Sequence, residues 1–303
     1  MRIINLKDEF RSEECYIALG YFDGMHLGHL KIIKSCISDA RRDKVESAVL
    51  LLDFKGAKSI TLIDDKIKIL EELGIDTVYV IDFTDDLKRT DPKAFVKEIL
   101  LDRLNAIRTY SGEDYTFGID RLGDTGLLKE MMKESGGEAV VLNFELDEEM
   151  QKISSSNIKK LILSGEVMSA NKDLSRYYSI KSKVIHGKKY GSSVGIPTAN
   201  LNINTGYIIP YQGVYVTKIK IKDHIYKSVT SVGKNLSFNE DFVSVETNIF
   251  DFDDDIYDDT VRLYFIYRIR DMLNFADKDD LLKQIKSDID FAKKFEDYLE
   301  LWV

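Results

Sequence analysis

The densest chemistry in this chain lies in Gly20-Tyr21-Phe22-Asp23-Gly24-Met25-His26-Leu27-Gly28-His29, between an apolar run and a helical pattern that begins near Leu30. Glycines let a backbone approach a ligand closely, and a helix N-terminus offers N–H groups and the positive end of the helix dipole. His26 and His29, three positions apart, face the same side of such a helix start. This corner suits a polyphosphate, with Gly20, Phe22, Asp23, Gly24 and Gly28 as the nucleotide-binding frame. Neither histidine neighbours a Ser, Cys or Lys nucleophile, so their expected task is to hydrogen-bond phosphate oxygens as charge builds during an in-line transfer. A metal pair would need a third soft ligand, and the remaining histidines, His186 and His224, fall in the other half. No GxGxxG dinucleotide fingerprint and no GxxxxGK[ST] phosphate loop occurs.

A second constellation is Gly187-Lys188-Lys189-Tyr190-Gly191-Ser192-Ser193-Val194-Gly195-Ile196-Pro197-Thr198-Ala199-Asn200-Leu201. Gly187, Gly191 and Gly195, with Ser193 between them, read as an arch that can cradle an anion. Pro197 then fixes the chain ahead of two neutral oxygen ligands, Thr198 and Asn200, a donor set that suits Mg²⁺ held mainly by nucleotide phosphates. The other reading of the same residues is a plain glycine-rich hairpin loop. The aspartates between Asp251 and Asp259 do not make a calcium loop: an EF-hand wants glycine where Ile256 stands and glutamate where Arg262 stands.

The elements that must hold these loops differ between the halves. Tyr16–Gly20, Ser47–Asp53, Thr77–Phe83, Ile107–Ser111 and Ala139–Phe144 are short, near-continuous apolar runs of the kind buried on both faces of a parallel sheet. Helices alternate with them. One spans Asp64–Leu73 and stops at Gly74; another starts at Asp91 as N-cap with Pro92 at the first helical position. The expectation is a doubly wound α/β domain with its ligand crevice at the carboxyl ends of the strands. From about Tyr178 the texture becomes period-2, in Lys181–His186, Gly213–Ile221, Val243–Phe250 and Thr260–Ile269, which predicts a small antiparallel β-barrel. An amphipathic helix over Asp277–Leu299 closes the chain. The predicted domains are 1–176 and 177–303, joined near Leu174–Ser182.

Composition narrows the function classes. The 303 residues carry a formal charge of −9, which argues against a phosphate-backbone binder and so against a nucleic-acid partner. No apolar run approaches the ~20 residues that cross a bilayer, and Met1–Glu14 lacks the apolar core of a signal peptide. A cytoplasmic location with no membrane partner is expected. Cys15 and Cys36 are the only cysteines and form no CxxC pair, so both are read as reduced and structural.

With these residues in view, GxFDGxHxGH resembles the HxGH nucleotidyltransferases, in the form found in the adenylyltransferase module of bacterial bifunctional riboflavin kinase/FAD synthetases. Gly112-Glu113-Asp114-Tyr115-Thr116-Phe117-Gly118 is similar to that family's GxDFxFG segment, which implies Asp114 and Phe117 at the flavin. Ile153-Ser154-Ser155-Ser156-Asn157-Ile158-Lys159 is similar to its ISSTxIR helix start. The resemblance implies Ser154 and Ser155 at the helix N-terminus and Lys159 meeting the leaving pyrophosphate of ATP. In the second half PTAN resembles the hallmark of riboflavin kinases, with Pro197 and the glycine arch at ATP and Thr198 and Asn200 at Mg²⁺. Ser244-Val245-Glu246-Thr247-Asn248 resembles the strand bearing that family's glutamate, which makes Glu246 the implied general base toward the riboflavin 5′-hydroxyl. Arg268-Ile269-Arg270 and Phe275 resemble the stretch that closes over the flavin, with Arg270 the matching arginine and Phe275 a stacking partner.

The chain departs from the family pattern at several positions. Lys159 stands for an arginine, Asn157 for a common arginine, Leu52-Asp53-Phe54-Lys55-Gly56 for FDPHP, Ser231–Phe238 for NIGxxPTF, Asn248 for a histidine and Asp258 for a glycine. The resemblance implies two ATP- and Mg²⁺-dependent steps: riboflavin to FMN in the barrel, then FMN to FAD in the α/β domain. Its rivals are a riboflavin kinase with a weakened or inactive adenylyltransferase half and a non-catalytic flavin-binding or regulatory protein.

Overall fold

The computed structural model describes residues 1–7, 10, 12–187, 196–203, 205–234, 243–275 and 277–299. Two compact units emerge: 1–57 with 61–154, and 58–60 with 155–303. Each is taken by itself.

The first unit is a six-stranded, all-parallel sheet in the order β1-β4-β3-β2-β5-β6. Its strands are β1 (Arg2–Asn5), β2 (Cys15–Leu19), β3 (Glu46–Asp53), β4 (Thr77–Asp82), β5 (Ala106–Gly112) and β6 (Glu138–Leu142). All five residues of β2 are buried, as a central strand covered on both faces requires. Successive strands run outward from β2 through β3 to β4, and the chain then returns to place β5 on the other side of β2. That reversal is the topological switch point where doubly wound sheets bind ligands.

The helices begin and end on local signals. α1 (Leu27–Asp43) starts directly after the glycine- and histidine-bearing loop. α2 (Ile63–Leu73) stops at Gly74 in the left-handed conformation, φ +78°. A four-residue α3 (Asp85–Lys88) is followed by α4 (Pro92–Ala94), where the Asp91 carboxylate accepts from the Lys93 and Ala94 N–H groups; the turn continues as a π-helix over Phe95–Arg103. α5 (Thr125–Glu134) returns the chain to β6. Both thiols are buried, and desolvation pushes the Cys36 thiol up to about 12 and the Cys15 thiol up as well.

In the second unit α6 (Ser155–Ser164) and α7 (Val167–Leu174) precede a closed barrel in the order β10-β11-β8-β7-β12-β9. Its strands are β7 (Tyr178–Ile185), β8 (Ala199–Leu201), β9 (Gly213–Ile221), β10 (His224–Lys234), β11 (Val243–Ile249) and β12 (Thr260–Arg270). Closure removes the open edges that a sheet of this size would expose. α6 and α7, which the sequence reading left with the first domain, cluster with the barrel. Asn171 fastens α7 there: its amide donates to the Phe265 carbonyl at 2.9 Å and its oxygen accepts from the Tyr178 N–H at 2.6 Å.

Three strands escape the sequence reading. β1 is a four-residue edge strand with no buried residue, and β8 has three residues. β10 hides its inward face because that face is hydroxylic: Ser228 and Thr230 are fully buried, bonded to Thr217 and Thr247 in a cross-strand chain at 2.7–2.9 Å. The last helix, α8 (Lys278–Lys294), is shorter than predicted. The chain leaves helical geometry at Phe295, where ring packing with Tyr267 and Phe291 replaces further turns.

α8 is tied to the barrel by Asp288, 4% exposed, whose carboxylate accepts from the Arg270 guanidinium at 2.6 and 3.1 Å and from Gln284 at 2.9 Å. Removing one partner of a buried pair strands the other charge. Asp288→Ala should therefore destabilise the barrel by about 3 kcal/mol, read as a lower urea midpoint of its unfolding transition.

Two candidate active sites

At the switch point the chain between β2 and α1 takes an unusual path. Phe22, Gly24 and Met25 all lie in the left-handed region, at φ +51°, +82° and +43°. Such backbone persists only where its surroundings over-determine it. Here the Gly24 N–H donates to Thr61 Oγ1 at 2.9 Å, the Thr61 N–H donates to buried Asp23 at 3.2 Å, and the Lys66 ammonium donates to the Tyr21 carbonyl at 3.0 Å. His26 is the N-cap residue of α1 and Gly28 lies in its first turn. The His26 and His29 rings stack with centroids 3.6 Å apart, and Phe22 meets His29 edge-on at 5.2 Å. The loop and spacing therefore bring the two imidazoles together as expected, at the N-terminus of a seventeen-residue helix.

Beside this loop lies a cavity of about 700 Å³, lined by Gly20, Phe22 and His29 on one side and by Asp114 and Phe117 on another. Tyr21, Phe54 and Phe83 complete an aromatic wall, with ring centroids 4.4 Å apart for Tyr21–Phe54 and 4.1 Å for Phe54–Phe83. Flat heteroaromatic ligands match such a wall. Phe117 is buried and packs against Tyr115 and Phe95, each at 5.5 Å, whereas Asp114 is exposed and paired with Lys152 at 2.7 Å. Ser154 closes the first unit and Ser155 opens α6 of the second, with Lys159 one turn further along that helix.

In the barrel, β8 runs antiparallel to β11 with Asn200 opposite Glu246 and Ala199 opposite Thr247. The Thr198 hydroxyl donates to one Glu246 oxygen at 3.4 Å, and the Ser244 hydroxyl to the other at 3.3 Å. Asn248, at the family's histidine position, donates from its amide to the Pro197 carbonyl at 2.7 Å and so pins the start of β8 to β11. Gly187 sits against the Asn200 carboxamide, where an added Cβ would overlap it. A hydroxyl, a carboxamide and a carboxylate gathered on two adjacent strands form an all-oxygen donor set, the kind that hard divalent cations take. Gly191, Ser193 and Gly195, and residues 235–238 of the 231–238 segment, lie outside the described residues.

The flavin residues expected from β12 stand apart in type. Arg270 ends that strand with its guanidinium engaged by Asp288, and Phe275 is half-buried in the 271–275 stretch before α8. Asp258, where the family has glycine, does adopt a left-handed backbone, φ +67°, and pairs with Lys183 at 2.9 Å. Sequence reasoning missed Thr61, Lys66, Ser244 and the Phe54–Phe83 pair. Thr61 and Lys66 carry no motif, Phe54 stands in a segment notable only for its missing prolines and histidine, and Phe83 reads as the end of a strand.

Among the described residues no helix is long and apolar enough to cross a membrane. The family profile of FAD synthetase matches residues 8–157, and that of riboflavin kinase matches residues 174–296. A bifunctional riboflavin kinase/FMN adenylyltransferase from Listeria monocytogenes is 33% identical, over 95% of this chain and 94% of its own. One from Bacillus subtilis is 35% identical over 90% and 89%. A crystal structure described as a macrolide-efflux protein from Streptococcus pneumoniae superposes with a TM-score of 0.86 at 31% identity, covering 98% of this chain and 100% of that one. Two profiles match in tandem and the relatives align nearly end to end, so the chain belongs to the bifunctional riboflavin kinase/FMN adenylyltransferase family.

Proposed function

We propose that the chain makes FMN and then FAD, each at the expense of ATP. In the barrel, Glu246 takes the proton from the riboflavin 5′-hydroxyl as that oxygen attacks the γ-phosphorus of ATP, giving FMN and ADP. Thr198 and Asn200 hold Mg²⁺, which when bound neutralises charge on the ATP phosphates. The observation that carries this half is the Thr198 hydroxyl 3.4 Å from the Glu246 carboxylate, with Asn200 directly across the strand pair. Asn248 keeps that geometry by fixing the Pro197 carbonyl.

In the α/β unit a phosphate oxygen of FMN attacks the α-phosphorus of ATP, and pyrophosphate leaves. The stacked His26 and His29 rings and the N–H groups of the first turn of α1 stabilise the charge that develops on the α-phosphoryl oxygens. Gly20 and Phe22 line the nucleotide end of the cavity and Asp114 and Phe117 its flavin end, with Asp23, Gly24 and Gly28 shaping the loop beside it; the family resemblance assigns the pyrophosphate to Ser154, Ser155 and Lys159. Arg270 and Phe275 serve the flavin of the kinase reaction, while Gly187 and Pro197 frame its nucleotide. The partners are small nucleotides and flavins rather than nucleic acid or lipid, and the enzyme works in the cytoplasm.

The deciding experiment follows products by chromatography from riboflavin, ATP and Mg²⁺. FMN should appear first and FAD after it. FMN that accumulates with no FAD assigns the chain to kinase activity alone, a reading favoured by Lys159 in place of the bidentate arginine. Absence of both products removes the catalytic reading.

A further inference from the structure

Lys66 is a charged residue on the buried face of α2, 3% exposed, beside Asp65 at 6%. Lysines are almost never buried to that degree unless something specific holds the charge. Its ammonium donates to the Tyr21 carbonyl at 3.0 Å and lies 4.5 Å from the centre of the Tyr21 ring. That carbonyl belongs to the loop in which Phe22, Gly24 and Met25 take left-handed backbone immediately before the two histidines. In a trans peptide the C=O of one residue and the N–H of the next point in opposite directions. Holding the Tyr21 carbonyl therefore turns the Phe22 N–H away from Lys66, on a stretch where Tyr21 and Phe22 both line the cavity. Thr61, on the segment leading into α2, holds the same loop two peptides further on, through the Gly24 N–H and the Asp23 carboxylate.

We propose that Lys66 is a positioning residue for adenylyl transfer: by fixing the Tyr21–Phe22 peptide it sets the loop that presents backbone donors and His29 to the α-phosphate, and it adds a buried positive charge behind a triphosphate site. The proposal rests on the adenylyltransferase reading of this cavity. Lys66 is not part of the cavity lining. Its effect passes through the backbone, so it should weigh on the charged transition state more than on ground-state binding.

The test uses the full chain, in which the kinase reaction monitors folding. Lys66→Met keeps an apolar stem and removes the ammonium. It should lower kcat for FAD formation from supplied FMN and ATP by about 10- to 100-fold, the range of one hydrogen bond to a charged group, with KM for ATP changing less than threefold. FMN formation from riboflavin should stay within twofold of wild type. Lys66→Arg should restore most of the lost rate, and Thr61→Val should show the same selective loss. A wild-type rate of FAD formation in Lys66→Met overturns the proposal, as does an equal fall of both reactions, which would make Lys66 a prop for the whole fold. If wild-type enzyme itself forms no FAD, the adenylyltransferase reading falls separately, and titration with α,β-methylene-ATP becomes the measure. Two binding sites of near wild-type affinity in Lys66→Met then fit a role confined to the transition state, and loss of one site would make Lys66 a ground-state binding residue and overturn the positioning role.

Discussion

Glu246→Gln should lower the rate of FMN formation from riboflavin and ATP by about 10²- to 10⁴-fold while leaving FAD formation from supplied FMN untouched. Glutamine keeps the shape and one acceptor oxygen for the Thr198 or Ser244 hydroxyl, which donate at 3.4 and 3.3 Å to the two carboxylate oxygens, while its amide can donate to the oxygen of the other. It removes the negative charge and the capacity to take a proton. The strand pairing of Asn200 with Glu246 is a backbone property and survives the change. KM for riboflavin should therefore move by no more than a few-fold, and the unfolding midpoint should stay near that of wild type. Steady-state kinetics by chromatography of FMN checks the first expectation, and urea unfolding the second. A glutamine variant that phosphorylates riboflavin at the wild-type rate would remove the general-base role and leave Glu246 as a partner of Thr198 alone.

Much of this arrangement is readable before any coordinate is known, for a physical reason. The β2–α1 corner is local: strand, turn and helix start are contiguous, so Gly20–His29 announces both its fold and its chemistry. The barrel site is half local. Thr198 and Asn200 follow Pro197 in sequence, but their meeting with Glu246 depends on a three-residue strand, β8, too short to show a period. Its pairing was legible only through the family resemblance. What stayed hidden is what acts at a distance through burial. Lys66 in Asp64-Asp65-Lys66 reads as a solvated helix start, and only packing shows that the charge points inward to the Tyr21 carbonyl. β10 was missed because Ser228 and Thr230 stand among its buried side chains, and their hydroxyls bond to those of neighbouring strands and so defeat a polarity-based reading. Arg270 shows the reverse case: a residue noticed for a ligand also carries a structural bond, to Asp288.

His29→Ala should cut FAD formation by about 10²- to 10³-fold, the usual loss when one donor to a developing oxyanion is removed. FMN should accumulate in the combined assay, since the kinase residues lie in the other unit. The helix itself tolerates the change, because His29 is the third residue of α1 and alanine is the best former of helix interiors. The KM for ATP should rise far less than kcat falls if the imidazole acts on charge that appears only in the transition state. His26 offers a matched control: it is the N-cap residue but makes no capping bond through its side chain, so His26→Ala also costs the helix little. The two rings stack at 3.6 Å, close enough to hold each other in place. Groups that act as one unit lose nearly everything with the first deletion. The double variant should therefore be within about tenfold of the worse single one. Losses that multiply instead would show two independent donors on separate phosphate oxygens, and a wild-type rate in either single variant would take that ring out of the reaction.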